Sequence, residues 1–209
     1  GAVEVPTLAV GGHMKVTVAL AWDQRVVISP HIGELDSPRS LAVFGQVIAD
    51  LQDLYQVRCR QIVCDLHPGY TSSRWAGQQG IPVLRVQHHH AHASALAGEH
   101  PDIEQWLVFT WDGVGYGADG QLWGGEALAG GPGHWARVAS FRPFRLVGGE
   151  KAGREPWRSA AALSWEIGSE WMPGIAGAAI ARQGWERGVG AFTSTAAGRL
   201  FDAAAALVL

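Results

Sequence analysis

The order of strand-like and helix-like runs constrains the fold of this chain more than any other feature. Three short apolar runs, joined at Gly11–Gly12 and Asp23–Gln24, fill the first thirty residues and predict an antiparallel meander. A helix is predicted next, because Ser37 can cap it and Pro38 suits the first helical position. Its apolar stripe is Leu41, Phe44, Ile48, Leu51 and Tyr55. Strand-like and helix-like runs then alternate up to residue 112, which predicts an α/β fold with a mixed sheet flanked by helices.

The pattern changes beyond residue 112. Strand-like runs follow over 121–129 and 136–141, and the runs after residue 155 are Ala-rich and predict helices. The last run, which ends at residue 209, is apolar nearly all round, and this favours packing against further protein.

Composition excludes several functional classes. The chain has 16 Lys and Arg against 19 Asp and Glu and no block of basic residues, so we expect no nucleic-acid partner. We also expect no membrane association and a cytoplasmic location, because no leader and no apolar run of spanning length is evident. The two cysteines, Cys59 and Cys64, are too few for a disulfide framework.

The histidine-rich stretch VQHHHAHASALAGEH, residues 86–100, contains a candidate metal site. His88 and His92 are four residues apart, so on a helix both imidazoles would reach one ion, whereas His89 and His90 would point elsewhere. The alternative is a polar helix start whose histidines cap backbone groups or face solvent. Asp112 ends the run over 106–112, and if that strand pairs beside the one over 82–86, its carboxylate would join the imidazoles in a site suited to zinc or iron(II).

A glycine-rich loop follows in DGVGYGADGQLWGGE. Residues 115–120 satisfy G-x-G-x-x-G, but the next run is strand-like, whereas a dinucleotide fingerprint opens a helix. The loop is therefore interpreted as a hairpin whose N–H groups face a phosphate or another polar ligand, and a plain glycine hairpin is the alternative. In GGEKAGREPWR, the side chains of Lys151, Arg154 and Arg158 either hold a phosphate or belong to a solvated loop before a helix at Pro156.

Six ordered motifs carry a family resemblance: SPHIGELDS, CDLHPGYTSSRWA, VQHHHAHASA, DGVGYGADGQLWGGE, GGEKAGREPWR and TSTAAGRLFDA. They resemble the HypF carbamoyltransferases of [NiFe]-hydrogenase maturation, in the first portion of the C-terminal domain. That domain is similar to the ATPase of tRNA threonylcarbamoylation. The resemblance implies an actin/Hsp70/sugar-kinase-like fold, with a first lobe over 1–130 that carries the metal and phosphate motifs and an incomplete second lobe over 131–209.

The resemblance also implies a reaction. A YrdC-like module would make carbamoyl-adenylate from ATP, and this domain would pass the carbamoyl group to the C-terminal cysteine thiol of HypE for cyanide ligand synthesis. Two alternatives stay open: a threonylcarbamoyltransferase-like enzyme that acts on tRNA, and a catalytically incomplete lobe that binds metal or HypE.

Site residues follow from the resemblance by position. The implied metal ligands are His88, His92 and Asp112. The implied adenylate-binding positions are Gly11, Gly12, Lys15, Gly113, Gly115, Gly117, Gly198 and Asp202. Candidate catalytic cations are Lys15, Lys151 and Arg154. The family's last metal carboxylate and its adenosine-binding GGVFQN-type loop have no counterpart in the sequence, so we expect slow transfer by the 209 residues alone.

Overall fold

The computed structural model describes residues 2–208. The chain divides into two compact units, of which the first ends at His88 and the second begins at His89. Each unit contains a sheet of five strands, and helices accompany both sheets along the chain. The predicted α/β fold with mixed strand directions is confirmed.

The first unit holds the predicted meander. Its strands are β1 (Val3–Ala9), β2 (Ala19–Asp23), β3 (Arg25–Ile28), β4 (Gln61–Asp65) and β5 (Val83–Val86). The spatial order is β3-β2-β1-β4-β5, with the β1–β2 and β2–β3 pairs antiparallel and the β1–β4 and β4–β5 pairs parallel. The intervening helices are α1 (Pro38–Tyr55) and α2 (Thr71–Gly77).

Helix α1 begins where the sequence predicts. Ser37 accepts a hydrogen bond from the Ser40 amide, Ser40 Oγ accepts one from the Ser37 amide, and Pro38 takes the first position. The middle of the predicted stripe is buried in the core, including Phe44 and Ile48. Tyr55 differs, because it lies 41% exposed at the last position of α1.

The connection between β1 and β2 is longer than the predicted turn at Gly11–Gly12. Strand pairing resumes only at Ala19, so the connection spans residues 10–18. Gly11 (φ 64°) and Lys15 (φ 52°) both have left-handed backbone, which bends the chain twice and makes a loop instead of a two-residue turn.

The second unit contains the remaining elements. Its strands are β6 (Trp106–Tyr116), β7 (Leu122–Gly130), β8 (Ala136–Ser140), β9 (Phe144–Val147) and β10 (Ala191–Ser194). Its helices are α3 (His88–Glu99), α4 (Trp157–Glu166), α5 (Ala178–Arg187) and α6 (Ala197–Val208), with a 3₁₀ turn at Gly149–Gly153. The sheet order is β6-β7-β10-β9, and β8 pairs with a second stretch of β7.

Three sequence expectations differ from this arrangement. Strand β6 pairs antiparallel with β7 and not beside β5, because the glycine hairpin over 117–121 folds β7 back onto it. Strand β6 also continues to Tyr116, whereas the sequence predicts that it ends at Asp112. Strand β10 lies in the part of the chain after residue 155 for which the sequence predicts helices, and β9 lies outside the predicted strand-like runs. Among residues 2–208, no helix is both long and apolar enough to cross a bilayer.

Candidate metal centre

Helix α3 carries both histidines predicted as metal ligands. His88 is its first residue, so the helix backbone itself sets the distance from His88 to His92. On the inner side of the helix, Ala93 and Ala97 are buried and pack in a cluster with Val108 of β6. Alanines bring the helix close to the sheet because their side chains are small. This packing places α3 beside the strand that carries Asp112.

The three predicted metal ligands converge at one point. The ligand atoms of His88, His92 and Asp112 all lie within 4.8 Å of one another, and His92 Nε2 is 3.9 Å from Asp112 Oδ2. Each of the three side chains keeps some exposure, from 25% for His88 to 57% for His92. An ion held there would therefore remain accessible to a substrate.

Asp65, at the end of β4, orients the first of these ligands. Its Oδ2 lies 2.7 Å from His88 Nδ1, and its Oδ1 accepts a hydrogen bond from the His67 amide. The Asp65 side chain is only 5% exposed, so this carboxylate is fixed in place. With Nδ1 engaged by a carboxylate, His88 presents Nε2 as its ligand nitrogen, as metal-binding histidines commonly do. The sequence offered only one signal for this role, a carboxylate at the end of a strand.

Glycines place the backbone of Asp112. A Cβ on Gly198, in the first turn of α6, would lie 2.7 Å from Gly113 Cα, and one on Gly124 of β7 would lie 2.6 Å from the Asp112 carbonyl oxygen. Strand β7 and helix α6 thus approach the Asp112–Gly113 peptide more closely than any side chain would allow. The Gly113 amide also donates a 2.6 Å hydrogen bond to Asp112 Oδ1.

The donor set fits a divalent transition metal. Two imidazoles and one carboxylate suit zinc or iron(II), and three protein ligands leave a position open for substrate or water. The engagement of His88 by Asp65 adds the outer carboxylate that such sites use. His88, His92 and Asp112 would hold the ion, which as a Lewis acid would polarise a bound carbonyl oxygen.

Two neighbouring histidines have altered pKa values. Burial lowers the pKa of His90, so its imidazole is neutral near pH 7. Burial also lowers the pKa of His67; its neighbours His13 and His88 act in the same direction, and Asp65 opposes them. His67 stacks face to face on Tyr70 at a centroid distance of 4.1 Å.

Three of the predicted adenylate-binding positions, Gly113, Gly198 and Asp202, meet at the start of α6 together with Arg199, which was not predicted. Arg199 donates to the carbonyl oxygen of Ala152 and pairs with Asp202 at 2.8 Å. Its Nη2 would lie 3.3 Å from a Cβ on Gly113, which itself abuts Gly198. Arg199 therefore ties the 3₁₀ turn that carries Lys151 to the first turn of α6. Lys151 and Arg154 are exposed, whereas Arg158 pairs with Glu155 at 2.6 Å.

The glycines further along the hairpin are engaged within it. The Gly117 amide donates to the Gln121 carbonyl, and a Cβ on Gly117 would lie 2.2 Å from Trp123 Nε1. Gly115 is buried and pairs with Trp123 in the ladder. These contacts account for the glycine at position 117 by packing, which is the alternative that the sequence left open.

The remaining predicted positions lie in the first unit. The Ser72 hydroxyl donates to the carbonyl oxygens of Gly11 and Gly12 at 3.2 and 2.5 Å and so holds the β1–β2 connection on α2. Lys15 is exposed in the same connection. An exposed cation on a tethered loop is available to an anionic ligand.

Comparison with known proteins identifies one protein family along nearly all of the chain. Residues 2–99 match the family described as "HypF Kae1-like domain", and residues 108–209 match "Carbamoyltransferase, Kae1-like Domain, second subdomain". The chain belongs to the HypF carbamoyltransferase family. Carbamoyltransferase HypF of Synechocystis sp. is 39% identical over 96% of this chain, and the HypF of Rhodobacter capsulatus is 40% identical over 95%.

Solved HypF structures share the fold. Full-length HypF in a phosphate- and nucleotide-bound form is 30% identical, with a TM-score of 0.90 over 99% of this chain. HypF of T. kodakarensis gives a TM-score of 0.87 over 98%. This chain spans 28% and 30% of those two proteins, and 29% and 28% of the Synechocystis and Rhodobacter relatives.

Proposed function

We propose that this chain acts in carbamoyl transfer from carbamoyl-adenylate to the C-terminal cysteine thiol of a HypE-like acceptor. The observation that carries the proposal is the convergence of His88, His92 and Asp112 within a chain of the HypF family. The donor set suits a divalent ion, zinc or iron, and three protein ligands would leave a position open for the group to be transferred.

The proposed chemistry matches what these residues can supply. A carbamoyl carbonyl is a weak electrophile because its nitrogen donates electron density into it, so a Lewis acid at its oxygen and an adenylate leaving group both help. His88, His92 and Asp112 would hold the ion, and Asp65 keeps the His88 imidazole in one orientation. In the proposal the attacking thiol comes from the acceptor. This agrees with the burial of Cys64, and the cluster of possible metal ligands found among residues 2–208 contains no cysteine.

Exposed cationic side chains are proposed to bind the adenylate phosphate. Lys151 and Arg154 of the second unit are both exposed. The backbones of Gly113 and Gly198 lie beside the metal ligand Asp112, next to which the adenylate phosphate is proposed to bind. A solved HypF has been described with phosphate and nucleotide bound, which supports a nucleotide ligand for this chain.

A second candidate is a metal- and partner-binding lobe that does not catalyse transfer by itself. The observation that favours it is coverage, because the chain spans less than a third of the Synechocystis and Rhodobacter relatives. A YrdC-like module that makes carbamoyl-adenylate belongs to the proposal as a partner. A tRNA acceptor is disfavoured by the net charge of −3.

The test supplies the zinc- or iron-loaded chain with carbamoyl-adenylate and a HypE-like acceptor and measures thiocarboxamide formation by intact mass. We expect transfer that depends on the metal and that falls at least 100-fold in His92→Ala. Transfer that survives both a chelator and His92→Ala would contradict the metal role. Metal uptake without any transfer would favour the second candidate.

A further inference from the structure

A buried carboxylate lies behind the proposed metal site in the second unit. The Glu126 side chain is 0% exposed, and its Oε2 accepts hydrogen bonds of 2.7 Å from the amides of Gly124 and Gly125. Its Oε1 accepts a hydrogen bond from the Thr195 hydroxyl and pairs with Arg137 Nη2 at 3.3 Å. A buried carboxyl group is tolerated only when its oxygens are satisfied in this way, so the Glu126 side chain is fixed in the core.

Arg137 is itself held on the outer side of this network. Its Nη1 pairs with Asp119 at 3.1 Å, and its guanidinium lies 4.4 Å from the centroid of Trp123. Asp119 also accepts a 2.9 Å hydrogen bond from Trp123 Nε1. These contacts join the turn of the glycine hairpin to Glu126 and leave the carboxylate little freedom to move.

His89 connects this fixed carboxylate with the metal ligand Asp112. The imidazole is 0% exposed, and its Nε2 lies 4.0 Å from Glu126 Oε2 and 4.0 Å from Asp112 Oδ2. Its ring is 6.0 Å from that of Trp123. The sequence interpretation directed His89 away from the site, whereas the structure places it between two carboxylates.

We propose that His89, seated against Glu126, is a positioning residue for the Asp112 carboxylate. Glu126 is anchored by four donors, whereas the Asp112 carboxylate is partly exposed. The His89 imidazole, fixed against Glu126, therefore restricts the positions that the Asp112 carboxylate can take. A residue next to a metal ligand typically changes metal affinity about 10–100-fold when it is lost. The expected change in metal affinity rests on the proposed function, whereas the position of His89 between Glu126 and Asp112 does not.

The test compares three substitutions. In His89→Gln the amide nitrogen reaches about as far as Nε2 does, whereas the shorter side chain of His89→Asn does not. His90→Gln is the matched control on the adjacent residue, which lies outside the proposed site. Zinc affinity of the 209-residue chain is measured by calorimetry, and the melting temperature of the metal-free chain is measured alongside it.

We expect His89→Asn to weaken zinc binding at least tenfold, His89→Gln to restore most of the affinity, and His90→Gln to bind as the unaltered chain does. A purely structural role would lower the melting temperature of both His89 variants and leave zinc affinity equal in the folded fraction. That result would overturn the proposal, as would zinc binding that is measurable and equally tight in all four proteins.

A second readout needs no metal. The Gly113 amide donates to Asp112 Oδ1, so its hydrogen exchange reports how well this carboxylate is held. We expect exchange at Gly113 to quicken at least tenfold in His89→Asn but not in His89→Gln. If the unaltered chain bound no zinc while this difference persisted, the proposed metal role would fail and the positioning role would stand. Unchanged exchange in His89→Asn would overturn the positioning role.

Discussion

Replacing Gly198 with Ala tests how the backbone of Asp112 is placed. The new Cβ would lie 2.7 Å from Gly113 Cα and 3.3 Å from the Asp112 carbonyl oxygen, so α6 or the middle of β6 has to shift. Overpacking of this kind costs about 1–3 kcal/mol. Alanine returns at most about 1 kcal/mol of that through its higher helix propensity.

After the helix-propensity gain is subtracted, the expected net loss for Gly198→Ala is up to about 2 kcal/mol, which corresponds to a fall in melting temperature of up to roughly 8 °C. Because the shift acts on the Asp112–Gly113 peptide, zinc affinity should also fall, by about tenfold. Calorimetric melting of the metal-free chain and a zinc titration measure the two effects separately.

Gly98→Ala is the matched control for this substitution. Gly98 is also a helical glycine of the second unit, in α3, but a Cβ there meets nothing within 4 Å. We expect Gly98→Ala to leave zinc affinity unchanged and to raise stability by up to about 1 kcal/mol. If Gly198→Ala behaved like Gly98→Ala, the close approach of α6 to Asp112 would be refuted.

Three further outcomes are expected. Asp65→Asn should weaken zinc binding about 10–100-fold, because it removes the carboxylate that contacts His88 Nδ1. The same substitution at the exposed Asp53 should leave zinc binding unchanged, and equal zinc affinity of the two variants would contradict this role of Asp65. Burial raises the pKa of the Cys59 thiol, so its alkylation at pH 8 should be slower than that of an unhindered thiol. The rate should increase only as the pH rises through the raised pKa. Alkylation that is as fast in the folded chain as in the urea-unfolded chain would contradict this. A filter-binding assay at physiological salt should detect no tRNA binding, and micromolar binding with a steep salt dependence would contradict the choice of acceptor.

Locally encoded features were predictable from the sequence. The start of α1 depends on Ser37, Pro38 and the following residues alone, and the spacing of His88 and His92 depends only on the helical repeat. The strand and helix order gave the fold class for the same reason. The hairpin that joins β6 and β7 was likewise predictable from its glycines.

Features that depend on non-local packing were not predictable. The sequence does not say that β6 pairs with β7 and not beside β5, because strand pairing is decided by the whole sheet. His89 was misplaced for a related reason, since its burial depends on how α3 packs on the sheet that carries Glu126. Asp65 contacts His88, which is 23 positions away, and Arg199 contacts Ala152, which is 47 positions away. A local sequence pattern cannot predict contacts over such separations.

Metal content is the most direct test of the central claim that three side chains form one metal site in this chain. The unaltered chain, His92→Ala and His90→Ala are each incubated with zinc or with iron(II) under anaerobic conditions, passed through a desalting column and analysed by elemental mass spectrometry. We expect one ion per chain for the unaltered protein and for His90→Ala, and less than a tenth of that for His92→Ala. Equal metal content in the two variants, or none in the unaltered chain, would contradict the claim.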